Sequence, residues 1–350
     1  MKNSWPRLLS ALLIPTALVW YSPQALSQTT DSLNYFLQKG NEEKEKGRKL
    51  EALRQFEKAL RFDSVNTPLL TELTSIYLDL RKHDRAILTL KRLATLDAAT
   101  PEQLRQLLEL SYTYNQTDDV LAYAARLKKA DPAARVQYYV GKVHYANDNY
   151  GEAIRSLTEA FKEEPANADI PYVLAHCYTE MENYRQAIPW FEKAIALDTT
   201  KPYWIYEMSL LYFSLNDDKN ALRYMEEAGR RGMRKDNDYM ENLGNAYLNA
   251  GKFEEGMAIL QDALKRKPSD ISLLNTVAEA YYFKGKYDLA IDHWDRILEV
   301  DKQNASALYM IGMCFQKKGD KAKGQQLCDK AIEMDPSLQH LRQKKQLPGL

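Results

Sequence analysis

The sequence predicts an all-α chain, a stack of about nine helical hairpins, and three observations carry that prediction. The 350 residues align with themselves at an offset of 34. Small and large side chains answer each other across the two halves of every repeat. Prolines recur at the seams between repeats. A repeat of this length holds one supersecondary unit, and a hairpin that cannot bury its apolar face alone must stack on its neighbours.

The repeats begin near Leu33, Thr67, Pro101, Ala134, Ala168, Pro202, Asn237, Ile271 and Ala305, and only two spacings depart from 34, each by one residue. One position of the first helix is held by Gly40, Thr74, Leu108, Gly141, Ala175, Ser209, Gly244, Ala278 and Gly312. The second helix answers with Ala52, Ala86, Val120, Ala153, Ala187, Ala221, Gly256, Ala290 and Gly324. Four residues later comes a knob: Phe56, Leu90, Ala124, Leu157, Phe191, Met225, Leu260, Trp294 and Cys328. Small against large at helical spacing is how two antiparallel helices interdigitate. Pro132, Pro165, Pro268 and Pro336 end second helices, since proline lacks an N–H and fixes φ. Pro68, Pro101 and Pro202 sit in the first turn of the next helix, where proline is tolerated.

In the seventh unit, Leu243-Gly244 is followed by Tyr247, Gly251, Gly256, Leu260, Ala263 and Pro268, an order and spacing that resembles the tetratricopeptide repeat (TPR) family. The resemblance covers nearly all of residues 28–336. It implies a right-handed superhelical solenoid with a concave groove lined by first helices. The third unit matches worst, with Leu108, Ser111 and Val120 where the family prefers a small residue, an aromatic and Ala, so its hairpin is expected to splay. Residues 337–350 are polar and basic, with Leu338 and Leu341 three apart, and read as a capping helix and tail over the last hairpin.

Residues 1–27 are of another kind. Lys2 and Arg7 precede an apolar run over residues 8–20, too short to span a bilayer, and Ala25-Leu26-Ser27 offers small residues at a signal-peptidase site. Cleavage between Ser27 and Gln28 and a periplasmic or secreted mature chain are expected, a retained anchor being the competing reading. No stable membrane insertion is expected after cleavage. Lys plus Arg and Asp plus Glu balance at 48 each, leaving no field of one sign to draw in nucleic acid. Cys177, Cys314 and Cys328 are too few for a disulfide framework. Cys314 and Cys328 lie on the two helices of one hairpin, where either a disulfide or two separately buried thiols is conceivable.

The motifs of phosphate loops, nucleophile elbows, metal helices and paired cysteines are absent from the sequence, so no catalytic residue, metal or cofactor is expected. His144 falls on a packing position and His176 on the groove side, with no Cys or carboxylate set beside either by spacing.

Carrying the family's inner-wall positions over residue by residue places Tyr138, Tyr172, Tyr206 and Tyr309 in one row. A second row holds Tyr112, Tyr145, Phe213 and Tyr282, with Tyr203, Lys142, His176, Asn245 and Glu279 nearby. Tyrosine outnumbers Phe and Trp at 23 against 9 and 5, and a ring with a polar tip suits a wet binding face. Such rings also pack between repeats, which is the reading for Tyr77, Tyr178, Tyr212, Tyr247 and Tyr281. Some family members clamp a terminal carboxylate with Lys and Asn at inner positions. Here Asn41 and Asn245 match the Asn, but Leu37 and Glu241 replace the Lys. The expected function is an exported scaffold, not an enzyme, that binds a peptide segment or partner protein in its groove and helps assemble an envelope complex. A glycan or peptidoglycan binder using the same tyrosines is the alternative.

Overall fold

The computed structural model describes residues 23–343, and the described residues contain helices and no strand. They divide into two compact units, one ending at Val143 and the other starting at His144. The first holds α1 (Pro23–Glu45), α2 (Lys49–Ala59), α3 (Thr67–Asp79), α4 (His83–Thr95), α5 (Pro101–Thr113), α6 (Thr117–Ala130) and most of α7 (Gln137–Ala146). The second holds α8 (Tyr150–Glu163), α9 (Asp169–Glu180), α10 (Tyr184–Leu197), α11 (Pro202–Ser214), α12 (Asp218–Arg230) and α13 (Asn237–Asn249). It continues with α14 (Phe253–Arg266), α15 (Ile271–Phe283), α16 (Tyr287–Val300), α17 (Ala305–Lys317), α18 (Lys321–Met334), a 3-10 turn at Pro336–Leu338 and α19 (Gln339–Gln343). The expected cut after Ser27 falls in the first turns of α1; the rest of the expected signal lies outside the described residues.

Five first helices, α3, α5, α13, α15 and α17, start at side-chain caps, whereas α9 and α11 do not. Asn66, Asp236 and Asn304 each accept the backbone N–H three residues on, and Thr100 forms a full capping box with Gln103. Most second helices start without such a cap, because the turn before them does the work. In every hairpin one turn residue adopts a left-handed conformation: Gly47, Arg81, Asn115, Asp148, Glu182, Asn216, Gly251, Gly285 and Gly319. The N–H that follows then reaches back to the first helix, as in Lys82 to Tyr77 (2.8 Å), Asn183 to Tyr178 (2.8 Å) and Lys286 to Tyr281 (2.9 Å). The turn geometry thus fixes where each second helix begins.

Packing follows the small-against-large rule. A Cβ placed on Gly244 would sit 2.5 Å from Leu260, and one on Gly312 would sit 2.7 Å from Cys328 Sγ, so glycine lets the knob of its own hairpin in. Ala52, Ala86, Ala153, Ala187, Ala221 and Ala290 are all fully buried. The third hairpin, expected to splay, is closed: α5 packs on α6, and Leu108 and Val120 are fully buried. Its size pair is inverted, a large Leu108 facing the hairpin whose knob is the small Ala124. At the other end, Leu338 is buried and Leu341 packs against Tyr309, Cys328 and Ala331, so the 3-10 turn and α19 cover the last hairpin. Residues 344–350 of the expected cap and tail lie outside the described residues.

Candidate functional site

Tyr172 and His176 stand one turn apart on α9, facing Glu207 of α11. The Tyr172 hydroxyl donates to Glu207 Oε2 at 2.9 Å, and His176 Nε2 lies 3.4 Å from the same oxygen. Spacing gave no sign of this carboxylate beside the histidine; it comes from the next repeat. The Tyr172 ring stacks on Trp204 at 4.6 Å between centroids, and His176 is boxed by Tyr172, Tyr145 and Phe191. Burial first, and then the Glu207 charge, push the Tyr172 hydroxyl far above its ordinary range. For Tyr203, the Glu207 charge is the leading cause of an upward shift. A carboxylate held by a tyrosine from the first helix of the preceding repeat is a tie between repeats.

The same tie recurs along the unit. The Asn242 amide of α13 donates to the Tyr206 hydroxyl at 2.6 Å, and the Thr276 hydroxyl of α15 donates to Glu241 at 3.3 Å. Tyr206, expected on an open groove wall, is therefore only 8% exposed, sealed by Tyr239 and Asn242 of the following repeat. Tyr309, at the equivalent position, is 4% exposed because the C-terminal elements cover it. Tyr282 is 6% exposed, among Trp294, Tyr287 and Phe283. Phe213 is half-buried against the core around Tyr206. Tyr203 alone of this group stands well out, 51% exposed.

Tyr138 belongs to the first unit, half-buried beside Tyr112 and Tyr139, with the Lys142 ammonium 5.9 Å from its ring centre. Tyr112 packs edge-on to Tyr139 and against the core that contains Leu108.

Asn245 and Glu279, expected near the groove, meet at an open cleft of about 570 Å3 between the first helices α13 and α15. Leu248, Phe253, Ala280 and Phe283 form its apolar part, and Asn249, Gly251, Thr276, Asp218 and Lys284 complete the lining. Phe283 is 53% exposed, a large ring presented to solvent at the rim. Among the described residues the half-buried Asn245 side chain has no hydrogen-bond partner, while Glu279 accepts only from the Asn275 amide, at 2.9 Å. An amide and a carboxylate left with capacity beside exposed aromatic surface can take polar and apolar groups of one ligand at once. Phe253, Phe283 and Asp218 escaped the sequence reading because they sit on turns or helix ends, outside the inner-wall positions carried over from the family.

Among the described residues no His, Cys, Asp and Glu grouping could hold a metal. Cys177 and Cys314 are fully buried free thiols, each pushed up to about 12 by burial, and Cys328, likewise in no disulfide, donates to the Tyr309 carbonyl. The Cys314–Cys328 disulfide is not formed. No helix of the described residues is long and apolar enough to cross a membrane.

Family models described as tetratricopeptide repeat match residues 144–205, 206–271 and 277–338, more than half of the chain. The chain belongs to the tetratricopeptide repeat family. The TPR repeat-containing protein YpiA of Bacillus subtilis (strain 168) is 24% identical over 265 residues, covering 63% of this chain and 62% of its own length. Superkiller complex protein 3 of Homo sapiens is 26% identical over 213 residues, which are 57% of this chain and 13% of that protein. The chain thus spans less than two thirds of either relative. Among solved structures, YrrB, described as a TPR protein with an unusual peptide-binding site, is 22% identical with a TM-score of 0.44, covering 54% of this chain and 98% of its own. Pseudomonas aeruginosa PilF is 18% identical with a TM-score of 0.44, over 61% of this chain and 99% of its own. TPR arrays are scaffolds for protein–protein interaction and are generally not enzymes.

Proposed function

We propose that this TPR chain is an exported scaffold that holds a peptide segment of a partner protein in the cleft between α13 and α15 and so helps assemble a complex of the cell envelope. The observation that carries the binding part is the cleft itself. It joins Asn245, free of side-chain partners among the described residues, to an exposed Phe283. Export rests on the basic start, short apolar run and small-residue site of residues 1–27. Contact, not reactivity, suits a site whose polar groups lack a positioned nucleophile and base.

Capture from envelope extract by the purified mature chain tests the reading, with Phe283→Ala and Asn245→Ala beside the parent. The parent should retain one discrete protein that both variants lose, at unchanged helicity. Retention of cell-wall material in place of protein would favour the glycan alternative. Equal capture by all three would remove the cleft from the account.

A further inference from the structure

We infer that the cleft between α13 and α15 takes a lysine or arginine side chain flanked by an apolar residue, an inference that rests on the peptide-binding reading above and narrows the partner. Two carboxylates, Asp218 and Glu279, line the cleft against a single cation, Lys284. A third lies beside it, since Glu241 accepts from Thr276, one of the lining residues, and from Ser272 at 3.0 Å. Glu241 occupies the position where clamp-type relatives are expected to carry lysine, so the sign of the site is reversed at that position.

Lys284 does not neutralise these acids. Its ammonium lies 5.1 Å from the centre of the Phe253 ring, and among the described residues it forms no ion pair. Asp218, Glu241 and Glu279 are likewise without an ion-pair partner among the described residues. Lys286 also stands 5.1 Å from the Phe253 ring centre, but its ammonium faces Glu254 at 3.9 Å, so the cleft keeps an excess of acid in a chain that is neutral as a whole.

A ligand that covers the cleft must answer those charges. An acidic or neutral segment would desolvate carboxylates without pairing them, which is costly. A basic side chain pairs with them while laying its methylene stem on the exposed Phe283 ring. The cleft volume of about 570 Å3 is ample for one long side chain and part of its neighbour.

The test is selection of random dodecapeptides displayed on phage against the purified chain, followed by affinity measurement of the selected peptides on variants. Selected sequences should carry Lys or Arg beside Leu, Ile or Phe. Their affinity should fall about tenfold on D218N/E279Q, the scale of one charge-assisted contact, and similarly when the peptide's arginine is replaced by citrulline. E279K should shift selection toward acidic residues. Circular dichroism checks that each variant keeps its helices. Peptides that lose binding on F283A yet contain no basic residue, or that keep full affinity for D218N/E279Q, would overturn the cation inference and leave the cleft reading standing. Peptides indifferent to F283A, or the selection of none, would overturn both.

Discussion

At the scale of single residues, this chain is governed by where small side chains allow backbones to approach. A Cβ on Gly256 would come within 2.8 Å of the Gly244 carbonyl oxygen, a backbone atom that cannot swing aside. Gly256→Ala should therefore destabilise the chain by about 1–3 kcal/mol by overpacking, read as a lower urea midpoint. The tyrosines obey a different rule. Tyr172 gives its hydroxyl to Glu207, and Tyr172→Phe should cost about 1–2 kcal/mol by leaving a mostly buried carboxylate short of a donor, measurable in the same unfolding experiment. The sequence showed which tyrosines share a position but not which are covered. Tyr206 and Tyr309 look alike in the repeat frame, and both are sealed, one by the next first helix and one by the C-terminal turn. Coverage depends on the residue supplied by the next repeat, such as Glu207 or Asn242, and periodicity alone does not name it.

At the scale of elements, the repeat frame was almost wholly legible, because hairpin length, small positions and proline seams are local constraints. The first helices α3, α5, α11, α13, α15 and α17 begin at Thr67, Pro101, Pro202, Asn237, Ile271 and Ala305, the starts read from the sequence, whereas α1, α7 and α9 begin at Pro23, Gln137 and Asp169 and not at Leu33, Ala134 and Ala168. What sequence could not show is how a departure is absorbed. In the third hairpin a buried Leu108 takes the place of the usual small residue, and the knob shrinks to Ala124. Ala124→Leu alone should cost about 1–3 kcal/mol, and adding Leu108→Ala should restore most of it, a coupling that a double-mutant cycle would expose. The turns offer a test of the opposite sign. Glu182 holds φ at 55°, a conformation that costs a side chain about 1–2 kcal/mol, so Glu182→Gly should raise the thermal midpoint despite glycine's greater freedom in the unfolded chain.

At the scale of the whole molecule, the chain is neutral overall, and among the described residues the cleft between α13 and α15 presents carboxylates without ion-pair partners beside an exposed ring. Within the second unit, Tyr172 and Asn242 spend their polar groups on a neighbouring repeat. Asn245, Glu279 and Phe283 do not. The binding face was legible only in part: Asn245 and Glu279 came from the family's inner positions, while the aromatic rim came from the last residue of α15, outside those positions. Photo-crosslinking in intact cells tests the central claim most directly, with a photoreactive phenylalanine analogue placed at position 283 on α15 or, as a control, at position 289 on α16, where Leu289 is likewise exposed. A discrete adduct to one partner protein from position 283 and none from 289 is the expected result; an adduct from 289 with none from 283 would contradict it.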